Sequence, residues 1–135
     1  MDDIFVARLM STSVRSATPD TLVEDAAQIL LEHEIGSLVI VDDDGELEGI
    51  LTTTDFVEIV ASSHPKAETT VSRYMTTDVI TTTAQASIRD VADAMVEHGF
   101  HHMPVVDETE GVVGMITTSD LAAYLSHVQT PNATE

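Results

Sequence analysis

The chain writes one unit twice. The string GILTTTD at residues 49–55 returns as GMITTSD at 114–120, an offset of 65 positions. The same offset, without a gap, aligns Val6 with Val71, Arg8 with Arg73, Met10 with Met75, Thr12 with Thr77, Val14 with Val79 and Thr18 with Thr83. Asp25, Ala27, Glu32, His33, Val41 and Asp42 likewise meet Asp90, Ala92, Glu97, His98, Val106 and Asp107. A period of this kind constrains the fold more than any local propensity. Each repeat is one supersecondary package that cannot bury its apolar face alone. The division is a first unit at 1–62, a connector at 63–70, a second unit at 71–127 and a frayed tail at 128–135.

Both repeats predict the same elements. Thr21 with Glu24 has the form of a capping box, and Val23, Ala26, Ala27 and Leu30 fall on one helical face. In the second repeat Ser87 and Asp90 start the helix, Ile88, Val91, Ala92 and Met95 form its face, and Gly99 is a C-cap. SLVIV at 37–41 and MPVV at 103–106 are too short and too β-branched for helix and read as buried strands. DDDGE and DETEG supply turns, and LEGIL and VVGMI return as second strands, making hairpins. A second helix follows each, with Val57, Val60 and Ala61, or Leu121, Tyr124 and Leu125, as its apolar side. With a short lead strand in front, each unit is β-α-β-β-α, an α/β (α+β) class. A unit of this size leaves one sheet face wet, so the expectation is two units packed face to face around a cleft lined twice by equivalent residues.

Composition excludes several functions. There is no cysteine, hence no disulfide, thiolate metal site or cysteine nucleophile. Twenty-four acidic against five basic residues give a net charge of −19, which repels phosphate backbones and anionic membranes. Nucleic acid and membrane are therefore not expected partners. Lys66 is the only lysine, and the charge fits adaptation to molar intracellular salt, where the Debye length is about 3 Å. No apolar run reaches about 18 residues, and the start MDDIFVARLM carries acid where a signal peptide carries base, so a soluble cytoplasmic protein is expected.

The duplicated G-h-h-T-x-x-D motif, the leader VxRxM(S/T)T, the phrase HHMPVVD and the unit length together resemble a tandem pair of CBS domains, a Bateman module, over residues 6–127. With the acidic composition, a halophilic archaeal source is expected. The resemblance implies a pseudo-two-fold pair holding an adenosine-containing ligand in its interdomain cleft: AMP, ADP, ATP, S-adenosylmethionine or NADH, with no obligatory cofactor. It implies that Asp55 and Asp120 grip ribose hydroxyls, helped at ribose or phosphate by Thr52 and Thr117. The adenine is expected beside Thr12, Val14, Leu38 and Val39, and beside Thr77, Val79, Ile80, Met103 and Pro104. One ionised carboxylate can accept both hydroxyls of a cis-diol, and such charge-assisted bonds are strong. Glycine at the motif's head allows close backbone approach or a bulge.

Each of these readings has a plainer counterpart. Thr52, Asp55, Thr117 and Asp120 are also what any helix start prefers. Arg15 meets either a phosphate or a surface carboxylate. His101 and His102 replace Gly36 and Ser37 of the first repeat and break the symmetry where the cleft is expected. Adjacent strand residues point opposite ways, so one of the two is expected to face phosphate, not both a metal. His33 and His98 suit helix C-termini, and His64 and His127 lie in flexible stretches. Met75, Met95, Met103 and Met115 read as core filler, and the sequon at 132–134 as chance. No nucleophile with a base, Walker loop or metal-spaced histidine pair is present, so the expected function is a non-catalytic nucleotide sensor. It acts through an unidentified regulated protein or a homodimer joined by its second helices. The alternative is a ligand-free dimerising scaffold of the same fold.

Overall fold

The computed structural model of the chain describes residues 4–62 and 68–133. His64, Pro65 and Lys66 of the connector, the side chain of His127 and the sequon at 132–134 lie outside what it describes. In chain order the elements are α1 (Val6–Leu9), β1 (Ser16–Ala17), α2 (Val23–His33), β2 (Ser37–Val41), β3 (Leu47–Thr52) and α3 (Thr53–Ala61). A 3-10 turn (Val71–Arg73) follows, then α4 (Ile88–His98), β4 (His102–Asp107), β5 (Gly111–Thr117) and α5 (Thr118–Ala133).

These elements gather into two compact units, Val14–Val79 and Met1–Ser13 with Ile80–Glu135. The leading segment of each repeat therefore packs with the body of the other. In one unit β1 runs parallel to β2, which pairs antiparallel with β3. The core joins Val23, Ala26 and Leu30 of α2, Leu38 and Ile40 of β2, Leu51, Ile59 and Val71. In the other, β4 pairs antiparallel with β5, and Val6, Val91, Met95, Met103, Val105 and Ile116 form the core. Val6 and Val71 are both fully buried, so the leading segments are part of the two cores.

The exchange is written twice in backbone hydrogen bonds. Val6 N–H donates to Ala86 O at 2.9 Å and Val71 N–H to Thr21 O at 2.8 Å. In return Ile88 N–H donates to Ile4 O, and Val23 N–H to Thr69 O, both at 2.9 Å. The first amide of α2 thus finds a carbonyl from the end of the connector, just before the other repeat's leader. That is why the expected Thr21–Glu24 box is absent: Leu22 is the N-cap, without a side-chain bond, and Thr21 Oγ1 instead accepts Thr18 N–H at 3.1 Å. Ser87 does cap α4, accepting from Arg89 N–H at 3.1 Å. At the other ends Gly99 takes the left-handed conformation as expected, and Glu34 takes it in the first repeat, with φ 52°.

Three further expectations are corrected by the packing. The lead segment is not one strand: it is the helical turn α1, a short extended stretch and the two-residue β1. The second repeat has only a single parallel bridge, Thr82 to Val105, in place of β1. Val39 N–H donates to Arg15 O at 3.3 Å, and Pro104, its counterpart, has no N–H to give Ile80. On α3 the buried side is Ile59 with Phe56, whereas Val57 and Val60 are 70% and 73% exposed. The two stripes lie about 100° apart on the helix, and the turn out of β3 fixes which one faces inward. Finally, α5 runs on through Pro131 to Ala133 where a frayed tail was expected from 128. No glycine follows Leu125 to stop it, and a proline removes one amide from the ladder.

The motif glycines have a steric cause. A Cβ on Gly49 would lie 2.8 Å from Thr76 O and 3.0 Å from Met75 Sδ. On Gly114 it would lie 2.7 Å from Met10 Sδ and 3.0 Å from Ser11 O. At each site the other repeat's leader crosses the strand, held by paired bonds of 2.9 Å between Ile50 and Thr76 and between Ser11 and Met115. A register shift sits one step before each glycine, between Ile40 and Val41 against β3 and between Val105 and Val106 against β5. Close approach and bulge occur together.

Candidate functional site

Each hairpin's second strand turns directly into a helix, and that corner is where threonine and aspartate of the motif meet. Thr52 is the N-cap of α3 and Asp55 its third residue, in a reciprocal capping box. Thr52 N–H donates to Asp55 Oδ2 at 2.8 Å, with the Thr52 hydroxyl 3.4 Å from the same oxygen. At the second corner Thr117 N–H donates to Asp120 Oδ2 at 2.9 Å, and Asp120 N–H donates to Thr117 Oγ1 at 3.2 Å. The next amide reaches across the hairpin: Thr53 N–H donates to Gly36 O and Thr118 N–H to His101 O, both at 3.0 Å. Sequence reading missed these two carbonyl anchors, because a backbone acceptor leaves no residue-type signature.

The capping role is therefore real, and it engages Oδ2. A carboxylate has about four lone-pair positions, so capping by one oxygen is compatible with a second use. Both aspartates are half-buried. Burial pushes the Asp55 carboxyl above its ordinary range, the Thr52 amide and hydroxyl pull it back in part, and Glu58 adds to the rise.

The other candidates divide by unit. Val14, Arg15, Leu38, Val39, Thr77 and Val79 belong with Thr52 and Asp55, while Thr12, Ile80, His101, His102, Met103 and Pro104 belong with Thr117 and Asp120. Leu38 and Met103 direct their side chains into the cores, at 0% and 1% exposure. Val39 and Pro104, the next residues along, are also buried but lie on the opposite sheet face. Thr12, Arg15, Thr77 and His101 are exposed, Val14 and Val79 half-buried, and Ile80 is exposed at the margin. His102 is half-buried opposite Thr117 in the ladder. Burial lowers its imidazole from the ordinary range, His101 lowers it further, and Asp120 pulls it upward. Among the described residues no group of three or more histidine, aspartate or glutamate side chains is placed to hold a metal, and no helix is long and apolar enough to cross a membrane.

Comparison with known proteins agrees with this architecture. The family model described as CBS domain matches residues 6–62 and again 71–127. The chain is 33% identical over 125 residues to an uncharacterised 17.7 kDa protein of Acidianus ambivalens, covering 93% of this chain and 75% of that one. It is 32% identical over 121 residues to a homoserine O-acetyltransferase of Methanosalsum zhilinae, covering 90% of this chain but only 24% of the relative. Among solved structures it resembles the CBS domain pair of protein MJ0100 in complex with 5′-methylthioadenosine and S-adenosyl-L-methionine. There the TM-score is 0.83 at 31% identity, covering 90% of this chain and 99% of the other. With two matches to the family model and the same elements twice over, the chain belongs to the CBS-domain family, as a tandem pair.

Proposed function

We propose that this CBS pair is a non-catalytic regulatory module that binds an adenosine-containing ligand. Binding shifts the module between arrangements that a regulated protein distinguishes. A ligand achieves this only by differential affinity for the two arrangements. The observation that carries the reading is the duplicated corner, where Asp55 and Asp120 each cap through Oδ2 and keep acceptor capacity for a ribose diol. The MJ0100 pair, with its two adenosyl ligands, supports this chemical class. AMP, ADP, ATP, S-adenosylmethionine and NADH are the compounds to try, with Mg²⁺ for the polyphosphates. The adenine contacts proposed are Val14 and Val39 in one unit and Ile80 and Pro104 in the other.

Equilibrium dialysis in molar KCl tests the reading, with Asp55→Ala and Asp120→Ala as controls. Retention of at least one adenosyl compound, weakened at least tenfold by one of the two substitutions, is expected. No retention, or retention indifferent to both, refutes it. A mass spectrum of small molecules that co-purify with the protein narrows the ligand.

A second reading, a ligand-free dimerising scaffold, draws on the exposed Val57 and Val60 of α3 and Leu125 of α5. Under either reading these helices join two copies as a homodimer, which sedimentation of Val60→Asp checks. The net charge of −19 further supports a halophilic archaeal source and a cytoplasmic setting rich in salt.

A further inference from the structure

The adenosyl-binding reading leaves open which group the ligand carries at its ribose 5′ carbon, and a difference between the two corners bears on that. Where one unit has Arg15, Gly36 and Ser37, the offset of 65 puts Ile80, His101 and His102 in the other. Ser37 is a small, buried residue opposite Thr52. His102 stands in its place opposite Thr117, whose amide and hydroxyl hold Asp120. The imidazole and the carboxylate thus share one strand–helix junction.

The charged and titratable groups acting on His102 are His101, immediately before β4, and Asp120 from α5, while its neighbour on β5, Thr117, is uncharged. Burial and His101 outweigh Asp120, so the imidazole is held neutral more readily than a free one. A neutral, half-buried imidazole is a hydrogen-bond donor that gains a full charge once an anion arrives to stabilise it. The first unit's candidate cation is Arg15, whose guanidinium brings a fixed charge in place of one gained on binding.

We propose that the second corner selects adenosyl ligands bearing an ionised 5′-phosphate over those with an uncharged 5′-substituent, and that His102 takes up a proton as the phosphate binds. The first corner, with Arg15 as its candidate cation, binds without that proton. The chain's two corners then answer to different ligands, and only the second responds to pH.

Titration calorimetry with AMP and with 5′-methylthioadenosine at pH 6.5 and 8.0 tests this. Both values lie above the second ionisation of a phosphate, near 6, so AMP stays mainly dianionic. AMP is expected to bind one site about fivefold more tightly at pH 6.5, with net proton uptake, while 5′-methylthioadenosine shows no such change. His102→Ser, which installs the first repeat's residue, and His102→Gln, which keeps a polar side chain, both abolish the pH response to AMP and leave 5′-methylthioadenosine binding intact. AMP affinity that is flat with pH, or a response that survives both substitutions, overturns the proposal while leaving the adenosyl-binding reading standing. Binding of neither compound overturns both.

Discussion

Replacing the motif glycines by alanine should have unequal effects, and the inequality is set by what each new methyl would strike. At Gly49 the obstacle is a carbonyl: Thr76 O would be 2.8 Å from the Cβ, 0.6 Å short of the 3.4 Å at which ordinary contact begins. That oxygen accepts from Ile50 N–H at 2.9 Å, and Thr76 N–H donates back to Ile50 O at the same distance. Relief therefore stretches two hydrogen bonds, each contributing about 1 kcal/mol net. At Gly114 the nearest atom is Met10 Sδ at 2.7 Å, the end of a flexible side chain, and the backbone obstacle, Ser11 O, is only 0.4 Å short of 3.4 Å. Overpacking costs about 1–3 kcal/mol, and alanine returns about 0.4–1 kcal/mol by restricting the unfolded chain. Gly49→Ala should then destabilise by about 2 kcal/mol and Gly114→Ala by about 1 kcal/mol or less. Urea unfolding followed by far-ultraviolet circular dichroism measures both. The chain has no tryptophan, but Tyr74 lies two residues from Thr76 and offers a local probe in the Val14–Val79 unit. If Gly49→Ala lies within 0.5 kcal/mol of the parent, on the order of the usual surface substitution, or if Gly114→Ala is the more damaging, the steric argument fails.

Glu34 occupies the left-handed position that Gly99 fills in the other repeat, at a cost of about 1–2 kcal/mol for a residue with a Cβ. Glu34→Gly should raise stability by about 0.5–1 kcal/mol, removing as well an anion from a helix C-terminus; a lower urea midpoint would contradict this. Asp55 titrates above its unfolded value, so its contribution is complete below about pH 3.8 and is lost as pH rises through the folded value. The stability of Asp55→Asn relative to the parent should therefore increase from pH 3.5 to pH 7, and midpoints at several pH values that give a flat or falling difference count against it. Pro104→Val should give β4 the donor that Val39 has, pairing position 104 with Ile80. Hydrogen exchange should find the new amide protected, and exchange at the unprotected rate would show that the leader does not close onto the sheet.

What the sequence disclosed was whatever is encoded by periodicity or by a residue with few alternatives. The faces of α2 and α4, the two hairpins and the left-handed Gly99 all follow from spacing and from glycine's freedom, and all are present. The inward side of α3 was not legible, because Phe56 and Ile59 make a stripe as apolar as Val57 and Val60, and only the strand–helix turn chooses between them. Nor was the source of the first amide bond of α2, since the carbonyl that satisfies it belongs to Thr69, 46 positions further along the chain. The corner was half legible: the motif identifies Thr52 and Asp55 as partners, but capping and sugar binding demand the same residue types, and the anchoring carbonyls of Gly36 and His101 carry no sequence mark.

The crossing of Val6 and Val71 into opposite cores bears on how this gene can change. A break in the connector leaves two pieces, each holding the leader that the other needs, so neither piece carries a finished core. Such halves should assemble only as a mixture, each completing its companion. The two copies can therefore differ at single positions, as at His101 and His102, without either becoming able to stand alone.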